Sequence, residues 1–400
     1  MKILVVCQYY YPEPFRITDI CETLTSRGHI VTVLTGLPNY PEGYVLDDYR
    51  KKKKRLENIN GVRVIRCSEV GRGQSKGRLF LNYLSYAFFS SIKALSMKDK
   101  FDVVFIYQLS PVLMAIPAII YKKRYHKKIL LYCLDLWPAS LAAGGIRQNS
   151  LIHRILLTMS RYIYQSADSI MASSRMFSQY FAVTLGIQTT IQHLPQYAEE
   201  DLYNQSIAIT PKDKYNFVFA GNIGDMQSVE TIIRSANELR DRKDITFHIV
   251  GDGSKLDECK LLSETLGLSN VVFHGRQSLG DMPKYYSMAD AMLVTLKDNE
   301  ILSYTLPGKV QSYMAARKPI IGAINGETNL VVNESKCGLC CAAEDFKTLS
   351  NIIIEFLNMD QEDRDIMGEN SYKYYRDNYD KERFITELEN ALYDLEGSHV

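Results

Sequence analysis

Phe217-Val-Phe-Ala-Gly-Asn-Ile-Gly-Asp-Met-Gln-Ser228 is the stretch on which the fold turns. Phe217 to Ala220 reads as a buried strand. Gly221 and Gly224 then let the backbone turn tightly and approach another group closely. Beyond the turn, Val229, Ile232, Ile233, Ala236 and Leu239 fall at helical spacing. A strand, a glycine turn and a helix start together make an anion seat, because free N–H groups and the helix dipole point at the turn. The turn lies in mid-chain, so a nucleotide site opening a second domain is the expectation. The plain alternative is an ordinary strand–helix turn, since short glycine motifs recur by chance.

Working outward, strand-like and helix-like segments alternate through the chain. The first half offers strands at 3–7, 30–35, 62–67, 103–107, 129–134 and 169–172. The second offers 217–220, 246–250, 271–273, 291–294 and 319–322. Runs apolar on both faces and separated by helices imply parallel sheets covered on both sides. The fold class is therefore α/β, with two doubly wound Rossmann-like domains. We place them at 1–200 and 201–371, with a linker near His193–Pro211. A helical segment rich in Tyr and charge, 372–400, is expected to pack back on the first domain.

Composition narrows the function. A chain of 400 residues is too long for one core. Its 47 basic and 46 acidic residues leave a net charge of +1, which argues against bulk nucleic-acid binding. The 8 cysteines are scattered, and Cys337-x-x-Cys340 has neither a second pair nor a nearby His. Buried thiols in a reducing cytoplasm fit better than a zinc or redox site. Met1-Lys-Ile-Leu-Val-Val is too short an apolar run for a signal peptide. Leu79–Phe89 and Pro111–Tyr121 fall short of the roughly 20 residues that span a bilayer. A soluble or peripheral protein is expected.

Ligands of open α/β sheets bind at the carboxyl ends of the strands. After the first strand comes Gln8-Tyr-Tyr-Tyr-Pro-Glu-Pro-Phe-Arg16, without a glycine. Arg16 would hold an anionic acceptor or only pair with Glu13. After 129–134 comes Asp135-Leu-Trp-Pro138. Asp135 would orient a hydroxyl or stabilise positive charge, and Trp137 would offer a sugar-stacking face. The alternative is a helix cap beside a packed Trp. After 271–273, His274 reads as a structural residue, while Arg276 offers a fork suited to phosphate. After 291–294 comes Leu306-Pro-Gly-Lys309-Val-Gln-Ser-Tyr313. Pro307 and Gly308 open a helix, and Lys309 sits in its first turn. The dipole disfavours a cation there unless it serves a bound anion.

Together these segments resemble retaining glycosyltransferases of the GT-B fold, family 4. The likeness is greatest to the branch that builds bacterial capsule, O-antigen and exopolysaccharide units. It rests on Lys2-Ile-Leu-Val-Val, Tyr10-Tyr-Pro-Glu13, Arg16, Arg27-Gly-His29, Asp135-Leu-Trp-Pro138 and Ala220-Gly-Asn-Ile-Gly224 with Gln227. It continues through Ile249-Val-Gly-Asp-Gly253, Met282-Pro, Ala289-Asp290 and Leu306-Pro-Gly-Lys309 with Tyr313-Met-Ala.

The resemblance implies two domains facing a central cleft, with the donor half in the second. A nucleotide-sugar, UDP-linked in most relatives, would lie against Gly221, Asn222, Gly224, Gln227, Pro307, Gly308 and Tyr313, with Arg276 and Lys309 neutralising its diphosphate. No metal and no cofactor are expected. The first domain would hold a polyprenyl-diphosphate-linked saccharide through Glu13, Arg16 and Trp137, at the inner face of the cytoplasmic membrane. Lys51-Lys-Lys-Lys-Arg55 and the apolar positions 80, 84, 88, 92 and 95 suit such a surface. Singly they read as a solvated loop and a core helix.

Two departures matter. Tyr304 and Ser312 stand where the family pattern carries two glutamates, and Leu134 stands at the family's His position. Asp135 becomes the catalytic candidate, with Asp298, Glu300 and Glu327 as the acids of the second domain. A sugar-nucleotide 2-epimerase and a non-catalytic nucleotide-sugar-binding scaffold subunit are the alternatives.

Overall fold

A computed structural model describes residues 1–51, 53–139, 150–199 and 214–397. Contacts divide it into two units, Met1–Leu194 with Ile385–Val400, and Pro195–Phe384. The boundary therefore falls at 194/195 rather than 200/201. The C-terminal return begins at Ile385 rather than 372. Most of the expected linker, from residue 200 onward, lies outside the described residues.

The first unit runs β1 (Lys2–Val6), α1 (Ile17–Ser26), β2 (Ile30–Thr35), β3 (Leu56–Ile59), β4 (Val62–Arg66), α2 (Lys76–Ser96) and β5 (Val103–Gln108). Then come α3 (Ile116–Tyr125), β6 (Lys128–Cys133), α4 (Leu151–Gln165), β7 (Ser169–Ala172), α5 (Phe177–Val183) and β8 (Ile191–His193). The sheet order is β3-β4-β2-β1-β5-β6-β7-β8. Only the β3–β4 pair is antiparallel. Ile3 to Val6 and Val103 to Phe105 have no exposed surface, as parallel strands covered on both faces require. The chain steps outward one way from β1 and the other way from β5. The topological switch point, where such sheets bind ligands, lies between these two strands.

The second unit runs β9 (Tyr215–Ala220), α6 (Val229–Glu238), β10 (Ile245–Val250), α7 (Leu256–Thr265), β11 (Val271–Gly275), α8 (Met282–Met288) and β12 (Ala291–Thr295). It continues with α9 (Glu300–Ser303), α10 (Gly308–Ala315), β13 (Ile320–Ala323), α11 (Glu327–Ser335), β14 (Gly338–Cys341), α12 (Phe346–Asn358) and α13 (Gln361–Asn378). All pairs in the order β11-β10-β9-β12-β13-β14 are parallel. Phe217 and Phe219 enter the core on one face, Val218 and Ala220 the core on the other. The switch point here lies between β9 and β12.

The last helix, α14 (Lys381–Gly397), carries Glu389 to the first unit. There Glu389 accepts from the Arg27 guanidinium and lies 2.7 Å from His29 Nε2. This contact gives Arg27-Gly-His29 a structural use.

Helix α2 departs from the core-helix expectation. Its inward residues are Asn82, Tyr86, Ala87, Ser90 and Ala94, which are polar or small apart from the tyrosine. Phe80, Leu84, Phe88, Ile92 and Leu95 face outward and are exposed.

Candidate active site

The donor half is built around the end of β9. Three strand ends are stitched together by backbone hydrogen bonds: Gly221 N to Val250 O at 2.9 Å, Ile223 N to Asp252 O at 2.8 Å, and Gly251 N to Gly275 O at 2.9 Å. Glycine is needed for that approach. Gly251 has φ +144°, and a Cβ on it would lie 1.8 Å from the Gly221 carbonyl oxygen.

The turn itself is a scaffold. Gln227 Oε1 accepts from Gly224 N at 3.2 Å and from Asn222 Nδ2 at 3.1 Å. A short 3-10 turn, Asp225–Gln227, and left-handed Ser228 intervene before α6 begins. Lys297 pins that turn through Asp225 at 2.8 Å, and Thr295 Oγ1 donates to Gln227 O at 2.6 Å. The N–H groups of Gly221, Ile223 and Gly224 are thus spent within the unit. The N–H groups expected to seat an anion at this turn are therefore taken, and Gln227 and Asn222 hold the turn.

An unspent cation stands instead at the start of α10. Lys309 and Tyr313 are one turn apart and share a face of this helix. The Tyr313 hydroxyl accepts from Ala220 N and donates to Ala220 O, both at 2.9 Å. Tyr313 has no exposed surface, so it clamps α10 to β9 and cannot line a donor pocket. This clamp brings Lys309 Nζ over the Phe219 ring, 3.8 Å from its centroid. A Cβ on Gly221 would lie 2.9 Å from the same nitrogen.

Lys309 Nζ is buried and has no hydrogen-bond partner among the described residues. Burial pushes its pKa down to about 7. A buried, unpaired ammonium is costly unless something pairs with it. Pro307 is the N-cap of α10, and Gly308 is exposed with open space around its Cα. Arg276 comes directly after β11, exposed and without a hydrogen-bond or ion-pair partner among the described residues.

The acids of this unit are dispersed. Asp298 Oδ1 accepts from Asn325 Nδ2 at 3.0 Å, and Glu300 Oε1 from the Tyr304 hydroxyl at 2.8 Å. Glu327 is buried at the start of α11. His274 Nε2 lies 2.9 Å from His248 Nδ1, whose ring reaches Asn216 Oδ1 at 2.9 Å. It is the structural residue that the sequence suggested.

In the first unit, Asp135 lies just past the end of β6 and is partly exposed. The Ser110 hydroxyl donates to its Oδ2, and Gln108 Nε2 donates to its carbonyl at 3.0 Å. Gln108 is in turn held by the Tyr164 hydroxyl at 3.1 Å. Burial pushes the Asp135 carboxyl up, with the Ser110 and Leu136 hydrogen bonds opposing. As a helix cap Asp135 would need a helix from residue 136, but residues 136–138 lead through a turn rather than a helix; residues 140–149 lie outside the described ones. Ser110 and Gln108 close β5 at the switch point. Sequence reasoning missed both, although their place at the carboxyl end of a buried strand is the same signal that singled out Asp135.

Two acceptor-side expectations are corrected. Trp137 is 2% exposed, so its ring is packing and offers no sugar-stacking face. Glu13 is buried and accepts from the backbone N–H groups of Tyr10, Asn39 and Tyr40, at 3.2, 2.9 and 2.8 Å. Its carboxylate therefore ties the loop after β1 to the loop after β2. Burial outweighs these hydrogen bonds and pushes its pKa up to about 7. Glu69, which sequence reasoning missed, does likewise. It accepts from Leu37 N and Asn39 Nδ2 at 2.8 Å each, and from Gln8 Nε2 at 3.2 Å. Arg16 is half-buried at the start of α1, near enough to the Tyr132 hydroxyl of β6 to act on it electrostatically.

Two units built on largely parallel sheets define the GT-B architecture. The chain belongs to the glycosyltransferases. A "Glycosyl transferase 4-like domain" matches residues 15–194, and "Glycosyl transferases group 1" matches residues 204–374. It is 26% identical over 302 residues to the protein of Pseudomonas aeruginosa named as glycosyltransferase WbjE, covering 72% of this chain and 74% of that one. It is 26% identical over 336 residues to WcaI of Escherichia coli, named for colanic acid biosynthesis, covering 79% and 81%. HepE of Anabaena, solved with UDP and glucose, superposes with a TM-score of 0.71 at 15% identity, over 98% of this chain and 99% of that one.

Proposed function

We propose that the protein moves a hexosyl or N-acetylhexosaminyl unit, with retention, from a UDP-sugar to a polyprenyl-diphosphate-linked saccharide during bacterial surface polysaccharide synthesis. The observation that carries the reading is Lys309: a buried ammonium, unpartnered, in the first turn of α10. A donor diphosphate would complete it. The anomeric C–O bond to the diphosphate breaks, and the acceptor hydroxyl's oxygen bonds the same face of the sugar while its proton passes to the departing diphosphate. The bonding electrons leave with the diphosphate, whose growing charge Lys309, Arg276 and the start of α10 would take up. Those groups supply the positive charge a metal would otherwise bring, so transfer is expected to persist in excess chelator. Asp135, oriented by Ser110, would stabilise the oxocarbenium-like centre or hold the attacking hydroxyl. WcaI's name supports the polysaccharide setting, and HepE's bound UDP supports the donor.

The test is a UDP-sugar panel with a lipid-linked acceptor, run on the wild type and on Lys309→Ala. Product on lipid is expected, with UDP affinity and rate down about ten- to hundredfold in the variant. Epimerised donor, or binding without turnover, would replace transfer with the epimerase or scaffold alternative. Unchanged UDP affinity in a Lys309→Ala/Arg276→Ala double variant would remove the donor site.

A further inference from the structure

Helix α2 is amphipathic the wrong way round for a core helix. At 3.6 residues per turn, Phe80, Leu81, Leu84, Phe88, Ile92 and Leu95 fall along one side. All are exposed, Phe88 at 61%. A contiguous apolar face of this size on a water-soluble unit marks an interaction surface. Helix α4, which packs on the same short helical turn (Val112–Ala115) as α2, adds exposed Leu151, Ile152 and Ile155.

Charge decides what the surface meets. Between residues 69 and 168 the chain has fourteen lysines and arginines against five acids, Glu69, Asp99, Asp102, Asp135 and Asp168, of which Asp168 pairs with Lys122 at 2.6 Å and Lys128 at 3.4 Å. That stretch alone is nine positive charges in excess, whereas the whole chain has +1. Cations stand at both ends of α2. Lys76 and Arg78 open it, Lys93 and Lys98 close it, and the Arg124 guanidinium reaches the Leu95 carbonyl. An apolar face bracketed by cations matches a lipid interface with anionic headgroups, where the apolar side chains enter the acyl boundary and the cations remain at the headgroups. The Lys51–Arg55 run suits it less, because Asp48 pairs with Lys54 at 2.9 Å.

We infer that α2, with the exposed start of α4, is the element that seats this protein on an anionic bilayer. The inference rests on the reading of a lipid-linked acceptor and gives it a surface. The inner side of α2 adds a consequence. Asn82 holds Gln8 Nε2 at 2.9 Å, and the Tyr86 hydroxyl donates to Cys7 O at 3.0 Å and Leu34 O at 3.3 Å. One helix therefore meets the lipid with its outer side and fixes the carboxyl ends of β1 and β2 with its inner side.

Sedimentation of the full chain with phosphatidylcholine vesicles, with and without phosphatidylglycerol, tests this without donor or acceptor. Wild-type protein is expected to pellet with the anionic vesicles and to be released by salt. Leu84→Gln/Phe88→Gln is expected to bind at least about tenfold more weakly, with its circular dichroism and UDP affinity unchanged. Lys76→Ser/Lys93→Ser/Lys98→Ser is expected to lose the preference for anionic lipid. The inference is overturned by wild-type protein that ignores anionic vesicles, or by a Leu84→Gln/Phe88→Gln variant that binds as well as wild type. It is also overturned by a solution dimer that this double variant dissociates, which would make a second copy the occupant. Transfer to a short water-soluble acceptor, measured without vesicles, reports on the glycosyltransferase reading separately.

Discussion

Donor binding becomes a proton-linked event with a donor diphosphate seated on Lys309 as proposed. With its pKa down to about 7, the ammonium is mostly neutral at pH 8 in the free protein. A bound diphosphate restores the charge, so binding takes up a proton. Calorimetry with a UDP-sugar, in buffers of different ionisation enthalpy, is expected to show nearly one proton taken up at pH 8 and few at pH 6. Lys309→Met is expected to abolish the difference; an uptake that survives it belongs to another group. Glu13 titrates the other way. Its folded pKa, about 7, lies above the unfolded 4.5, so its contribution to stability is full below pH 4.5 and is lost as pH rises through 7. Glu13→Gln removes that titration. In denaturant melts, the advantage of wild type over Glu13→Gln is expected to shrink by about 1–3 kcal/mol between pH 5 and pH 8. A constant difference would mean that Glu13 is ionised throughout. Lys309 stood out in the sequence because a cation opposes the helix dipole there. The burial of Glu13 and Trp137 was not legible, since a polar or aromatic residue after a strand looks the same whether it turns inward or outward.

Among the elements, the central strands were readable because burial on both faces leaves unbroken apolar runs such as Val103 to Tyr107. The strands beyond that reading lie at sheet edges or beside them. Leu56-Glu-Asn-Ile59 has one face in water, Ile191-Gln-His193 is mostly exposed, and Gly338-Leu-Cys-Cys341 begins with a glycine. Edge strands need less apolar surface and so leave a weaker pattern. The periodicity of α2 gave its existence but not its facing, because an outward apolar stripe has the spacing of an inward one. The strand-end stitching yields a paired prediction. Gly251→Ala drives a Cβ into the Gly221 carbonyl, a clash with backbone that cannot rotate away. The second unit is expected to lose about 3 kcal/mol or more. Gly308→Ala meets open space and is expected to leave stability within about 0.5 kcal/mol while weakening UDP binding. Equal melting of the two variants would count against the stitching argument.

At the scale of the whole molecule, the sequence showed two α/β halves but set their limits too late at 200/201 and the C-terminal return too early at 372. Helix α13 is still part of the second unit, and its Tyr375 hydroxyl accepts from Ala198 N at 3.2 Å. A helix that serves its own unit and one that crosses over share the same amphipathic pattern, so only contacts such as Arg27 with Glu389 tell them apart. The uneven placing of charge has a practical consequence. With a pI near 7.5, the protein is close to neutral at pH 7.5 and by net charge should adhere to no ion-exchange resin. An adsorbent responds to the face it touches, not to the sum. The stretch from 69 to 168 is expected to hold the protein on a sulfonate column at pH 7.5 in low salt, and elution should come earlier for Lys76→Ser/Lys93→Ser/Lys98→Ser. Passage of the wild type in the void volume would mean that these cations are matched by acids elsewhere on the surface. Retention would make a routine purification step the first measurement of which way this molecule turns when it meets an anionic wall.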